Sequence, residues 1–372
     1  MAIDVRKIEN DTAAEFFVTG FGEPGLSLQQ QAKEIFSAIR DFLKDQQAVI
    51  VQERVFLDPK VMDEVKAIRA EAYGSLDDGV SPSYLSDQLK SGIQLAGVQV
   101  HAVRTARKIE VVRYADKPVG RLITNEQRFL ALTGLFASPD LSPSEQANQM
   151  LAQADGALKQ LGSSLFSIAR TWMWLEDILD WYGDFNKVRN AFFRKEGLIT
   201  DEPQKDRLPA STGIGMKPAF GPTCMMDLVA ALAPGQKIDY LLAGGNQDSA
   251  FKYGSAFSRA SSIATPGGRT VYVSGTASID PQGRTEFIDD IEKQVDATIR
   301  HVRAVLKNMN CGDDDVVQAM IYSKTPAVDK HFKEKWNKAL PWPQVTLVCD
   351  VCRDDLLFEI EAAACPGAKK IV

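Results

Sequence analysis

The chain's 372 residues are 45% hydrophobic and 25% charged, an ordinary globular composition at a length that suggests two or three domains rather than one core. A net charge of −6, with Lys and Arg scattered, leaves no basic stripe for phosphates and argues against a nucleic-acid partner. No apolar run approaches a membrane span, the start at Met1-Ala2-Ile3-Asp4-Val5 is unlike a signal peptide, and five sparse cysteines fit reduced thiols. The expectation is a cytoplasmic protein.

In chain order, one succession of elements is read three times. Each begins with an apolar strand ending in a hydroxyl residue and glycine: Phe16-Phe17-Val18-Thr19-Gly20, Leu130-Ala131-Leu132-Thr133-Gly134 and Val271-Tyr272-Val273-Ser274-Gly275. An amphipathic helix follows, with apolar positions three and four apart. They run from Leu28 to Leu43, from Ala147 to Leu161, and from Ile291 to Met309, the last stopped by Gly312. A β-branched or aromatic strand comes next (48–57, 168–175, 316–323), then a second helix (59–73, 178–195, 327–339) and two further strands. The last of these contain Gly97–Ala102, Met226–Ala230 and Phe358–Ala362. The domains expected are 1–110, 127–235 and 255–372, with 111–126 a connecting hairpin and 236–254 a Gly-rich linker loop.

The third copy carries Val273-Ser274-Gly275, Asp290-Ile291-Glu292-Lys293-Gln294, Asp314-Asp315-Val316-Val317 and Glu359-Ile360-Glu361-Ala362. In these it resembles the RidA/YjgF family, also called endoribonuclease L-PSP, over nearly all of residues 255–364. The resemblance implies an α+β fold of three tandem RidA/YjgF-like (chorismate-mutase-like) units. Each would be a mixed sheet with two helices on one face, and together they would form a single-chain pseudo-trimer with clefts between units, open to further self-association. Deaminases of this family carry an arginine about fifteen residues before the closing-strand carboxylate. Here those positions hold Tyr84, Ser211 and Gln344, matched within each copy to Gln99, Asp227 and Glu359. A neutral side chain cannot hold a carboxylate as a guanidinium does, so imine deamination is demoted.

Further motifs are Arg170-Thr171-Trp172, Asn186 with Arg189, Leu208–Gly215, Phe257-Ser258-Arg259-Ala260, Ser274–Ile279 and Cys352–Ile360. Across roughly 165–364 these are similar to the chorismatases, which share the superfamily fold and cleave the enolpyruvyl ether of chorismate. The stretch Gly245–Ala256 is shorter than the Pro-, Tyr- and Arg-rich segment of that family.

Enol-ether hydrolysis needs a proton for the vinyl carbon, and a carboxylic acid in a partly dry cleft suits that step. Glu359 is the first candidate for the general acid, and Asp227 stands at its position in the second copy. Arg259 and Arg170 are motif-borne cations for an anionic substrate, each equally placed for an interdomain salt bridge. Ser211 and Thr212 lie on a Gly-rich turn, and Gln344, Cys352 and Phe257 complete the expected substrate-binding set.

No metal or cofactor is expected. Cys349 and Cys352 sit at the end of a predicted strand, where residues i and i+3 face opposite ways, and the three histidines lie far apart. The functional expectation is chorismatase-like hydrolysis of a small carboxylated metabolite. The alternatives are an enamine or imine deaminase with an altered site, a non-catalytic ligand-binding protein and, more weakly, a ribonuclease.

Overall fold

The computed structural model describes residues 2–22, 25–86, 93–124, 128–232 and 237–372. The first unit comprises β1 (Ile3–Glu9), β2 (Ala13–Gly20), α1 (Leu28–Gln46), β3 (Val49–Leu57), α2 (Met62–Tyr73), β4 (Ser83–Ser86) and β5 (Leu95–Thr105). The second comprises β6 (Ile109–Tyr114), β7 (Lys117–Thr124), β8 (Arg128–Leu135), α3 (Pro143–Gln160), β9 (Ile168–Leu175), α4 (Ile178–Lys195), β10 (Ala210–Ile214), β11 (Lys217–Pro218) and β12 (Cys224–Ala231). The third comprises β13 (Asp239–Leu241), β14 (Ala260–Thr265), β15 (Gly268–Ala277), α5 (Ile291–Asn308), β16 (Val316–Ser323), α6 (Pro326–Lys335), β17 (Gln344–Val348), β18 (Phe358–Ala364) and β19 (Lys369–Lys370).

The strand orders β4-β3-β5-β2-β1, β10-β9-β12-β8-β7 and β17-β16-β18-β15-β14 are the same path walked three times. In each the outermost strand pairs parallel with its neighbour and the rest pair antiparallel. An α+β fold of three tandem units is therefore what the chain adopts.

Local chemistry explains the helices. Ser27 with Gln30 and Ser142 with Glu145 form capping boxes, while Asp290 and Thr325 accept from the amides of Lys293 and Val328. The apolar stripe of α1 (Ala32, Ile35, Phe36, Ile39, Leu43) is buried against its own sheet, and α3/α4 and α5/α6 cover the other two sheets in the same way. The opposite faces of all three sheets meet in one shared core. Phe56 and Val103, Trp172 and Trp174, and Tyr322 and Val345 represent the three units there. Burial on both faces is why strands such as β2, β9 and β16 are buried at every residue.

The leading strands β1, β7 and β14 extend the sequence reading, which started each unit one strand later. The hairpin expected at 111–126 as a connector is part of the second sheet: its second strand, β7, pairs with β8 as β1 pairs with β2. Within the expected linker at 236–254, β13 pairs with β14. The edges placed at 126/127 and 235/236 lie outside the described residues. Among those residues no helix is long and apolar enough to cross a membrane.

The units close head to tail. Ser83 on β4 donates to Asp227 of the second sheet, and the Ser211 amide on β10 donates to Ser274 Oγ of the third at 2.8 Å. Gln99 of the first sheet donates to the Ala319 carbonyl of the third at 3.0 Å. Three inter-unit clefts follow from this ring.

Candidate active site between the second and third units

Ser211 on β10 and Glu359 on β18 line one small pocket, with a cavity volume of about 40 Å³. Tyr182 and Gly213 also come from the second unit, Tyr253, Ser255, Phe257 and Arg259 from the segment between units, and Gly275, Cys352 and Arg353 from the third. The within-copy matching of Ser211 to Asp227 and Gln344 to Glu359 is thus corrected: head-to-tail packing pairs each edge strand with the next unit's closing strand.

A β-bulge shapes the site. The β15–β18 register shifts between Val273 and Thr276, across Ser274 and Gly275, so the backbone steps aside where Glu359 enters. A methyl group on Gly275 would lie 2.0 Å from Glu359 Oε1. Gly275→Ala is therefore expected to expel the carboxyl from its seat and to cost about 1–3 kcal/mol by overpacking, read as a lowered melting midpoint.

Glu359 is only 5% exposed and has no hydrogen-bond or ion-pair partner among the described residues. Burial, reinforced by the charge of Glu361, pushes its pKa up to about 8, against the pull of Arg170 and Arg259. It is a carboxylic acid at neutral pH.

Arg259 is 1% exposed, yet its partners are neutral: Nε and Nη2 donate to the Asp248 carbonyl at 3.0 and 2.9 Å, and Nη2 also bonds the Tyr253 hydroxyl. Arg353 Nη1 donates to the Gly283 carbonyl at 2.7 Å. Neither guanidinium has a carboxylate partner among the described residues. Arg189, buried one layer out and bonded to Asn186 Oδ1 at 2.6 Å, adds a third such charge behind Tyr182. Burial pushes the Cys352 thiol up to about 12, with Glu359 adding to it, so Cys352 is an uncharged wall of the pocket.

Several expected residues lie elsewhere. Arg170 and Thr212 are not in the pocket lining. Arg170 Nη2 donates to Glu361 Oε2 at 2.8 Å and to Thr212 Oγ1 at 2.6 Å, and Thr212 in turn receives the Gly275 amide at 3.0 Å. Trp172 Nε1 completes Glu361 at 2.6 Å. This is a buried network behind the site, the salt-bridge alternative for Arg170. Gln344 sits at the third–first junction, donating to Asn337 Oδ1 at 2.6 Å.

Asp227 occupies the Glu359 position at the first–second cleft, and that cleft is filled. Arg54 Nε (2.9 Å), Ser83 Oγ (2.6 Å) and the Gly134 amide (2.9 Å) all donate to its carboxylate. Arg54 in turn stacks 3.9 Å over Trp172. At the third–first cleft the acid is replaced by Gln99, and the β2–β5 register runs through it without a bulge. Among the described residues, only the cleft at Glu359 joins an unpartnered carboxyl to unpaired guanidiniums.

Sequence reasoning missed Arg353, Tyr182, Tyr253 and Ser255. Arg353 lay inside the quoted Cys352–Ile360 motif, whereas the tyrosines come from a helix and a loop with no local signal.

A family model for endoribonuclease L-PSP matches residues 251–365. A RutC family protein of Saccharolobus solfataricus is 31% identical over 100 residues, 26% of this chain and 79% of that protein. The chain belongs to this RutC/RidA (endoribonuclease L-PSP) family. A crystal structure of a chorismatase superposes with a TM-score of 0.62 at 18% identity, covering 96% of this chain and all of that one, so the two share a fold over the full three-unit length.

Proposed function

We propose that the chain is a single-chain pseudo-trimer that hydrolyses the enolpyruvyl ether of a small carboxylated metabolite, of the chorismate class, in the cleft between its second and third units. One observation carries this reading: a buried carboxyl that keeps its proton to about pH 8 shares a cleft with Arg259 and Arg353, whose charges no carboxylate meets. A buried guanidinium without an anion is costly, and a bound carboxylate relieves that cost with charge-assisted hydrogen bonds.

In the reaction, Glu359 transfers its proton to the terminal vinyl carbon, whose π pair forms the new C–H bond. The adjacent carbon becomes an oxocarbenium ion, stabilised by the carboxylate Glu359 now carries. Water adds there, and the hemiketal collapses to pyruvate and the free alcohol, returning the proton to Glu359. The aromatic walls Tyr182, Tyr253 and Phe257 suit a flat ring.

Incubation with chorismate and assay of pyruvate tests the reading. Pyruvate release that is level at acidic and neutral pH and falls as pH rises through about 8 is expected, because the general acid is then lost. No pyruvate at high enzyme concentration contradicts it.

One observation favours a second reading. Arg259 supplies, from another element, the guanidinium missing at Ser211, so hydrolysis of an amino-acid-derived imine is the activity to assay if chorismate is inert.

A further inference from the structure

Tyr253 stands at the meeting point of the two unpaired cations. Its hydroxyl accepts from Arg259 Nη2, and its ring centre lies 5.6 Å from the Arg259 guanidinium carbon and 5.4 Å from that of Arg353. The ring also fits against Gly283, where an added methyl would come within 2.5 Å of it. Gly283 is also the residue whose carbonyl holds Arg353. The phenol thus takes the place a carboxylate would take, an oxygen acceptor and a π-face offered to one buried cation, Arg259, and one partly buried one, Arg353.

Its attachment is suited to exchange. Tyr253 ends a single 3-10 turn, Ala250–Tyr253, and is followed by Gly254 at φ 99°, a left-handed conformation that glycine adopts without strain.

We infer that Tyr253 is a specificity-determining placeholder: its hydroxyl occupies the seat beside Arg259 that a carboxylate would take and must be displaced by a carboxylate ligand. A carboxylate displaces it because a charged acceptor bonds a guanidinium more strongly than a neutral phenol does. A neutral ligand of the same shape has no such advantage and stays out. The inference rests on the anion-binding reading of the cleft, and the test separates the two.

Calorimetric titration of the full chain with isophthalate, a rigid aromatic dicarboxylate, compares wild type, Tyr253→Phe and Arg259→Ala, with thermal melts checking that each variant is folded. Removing the competing hydroxyl is expected to tighten isophthalate binding three- to tenfold in Tyr253→Phe, while Arg259→Ala loses it. Wild-type binding that is unchanged or weakened by Tyr253→Phe overturns the placeholder and leaves the anion site standing. Isophthalate binding by neither wild type nor Tyr253→Phe overturns both.

Discussion

Glu359→Gln is expected to lower pyruvate release by 10²–10⁴-fold, the range a positioned general acid contributes, while leaving anion binding in place. The same variant is expected to be more stable than wild type at alkaline pH. In the folded chain the Glu359 proton is held to about pH 8, whereas the unfolded chain releases it near its ordinary 4.5. The ionisation cost of burying this group is therefore absent below pH 4.5. It grows between 4.5 and 8 and is complete above 8, where it reaches on the order of 5 kcal/mol. Glutamine has the same shape and no charge to desolvate, so its melting midpoint gains on wild type as pH rises from 5 to 9. On the proposed reading, that cost serves the reaction rather than the fold.

Asp227 is expected to behave in the opposite way. Asp227→Ala leaves Arg54 buried without its anion and removes the acceptor of Ser83 and of the Gly134 amide. Breaking one side of a buried pair costs about 3–5 kcal/mol, so a large fall in urea or thermal midpoint is expected. Replacing both partners, Arg54→Leu with Asp227→Leu, is expected to recover part of that loss. A double-mutant cycle measures the coupling. Chorismate turnover per folded molecule should be little changed, because Asp227 lies in the cleft that Arg54 has filled. The two acids hold the same place in the repeat, and one is committed to structure while the other remains unpaired.

That difference was half legible in the sequence. Glu359, Ser211, Phe257, Arg259 and Cys352 sit in compact motifs, and all five line one pocket. Their convergence across two units was not legible from within-copy matching, because the partner of each edge strand is chosen by head-to-tail packing. Arg54 carried no motif; its role is fixed only by the 2.9 Å contact with Asp227, 173 residues away. The repeat itself was read from its glycines, helices and closing strands.

The leading strands were not counted into their units, for physical reasons. β14 reads Ala-Ser-Ser-Ile-Ala-Thr, poor in strand-forming side chains, and burial of Ser261 is made possible by its hydroxyl bond to the Ala169 carbonyl at 2.7 Å. β7 opens on Lys117-Pro118, which marks a turn in a sequence and here begins a strand paired with its hairpin neighbour.

Among the described residues, the cleft between the second and third units holds a neutral carboxylic acid poised beside unpaired cations. Infrared difference spectroscopy of wild type against Glu359→Gln tests it without a substrate. At pH 6.5 the difference should contain the C=O stretch of a protonated carboxyl, giving way to carboxylate bands as pH rises through about 8. Carboxylate bands already present at pH 6.5, with no protonated stretch, would contradict the account.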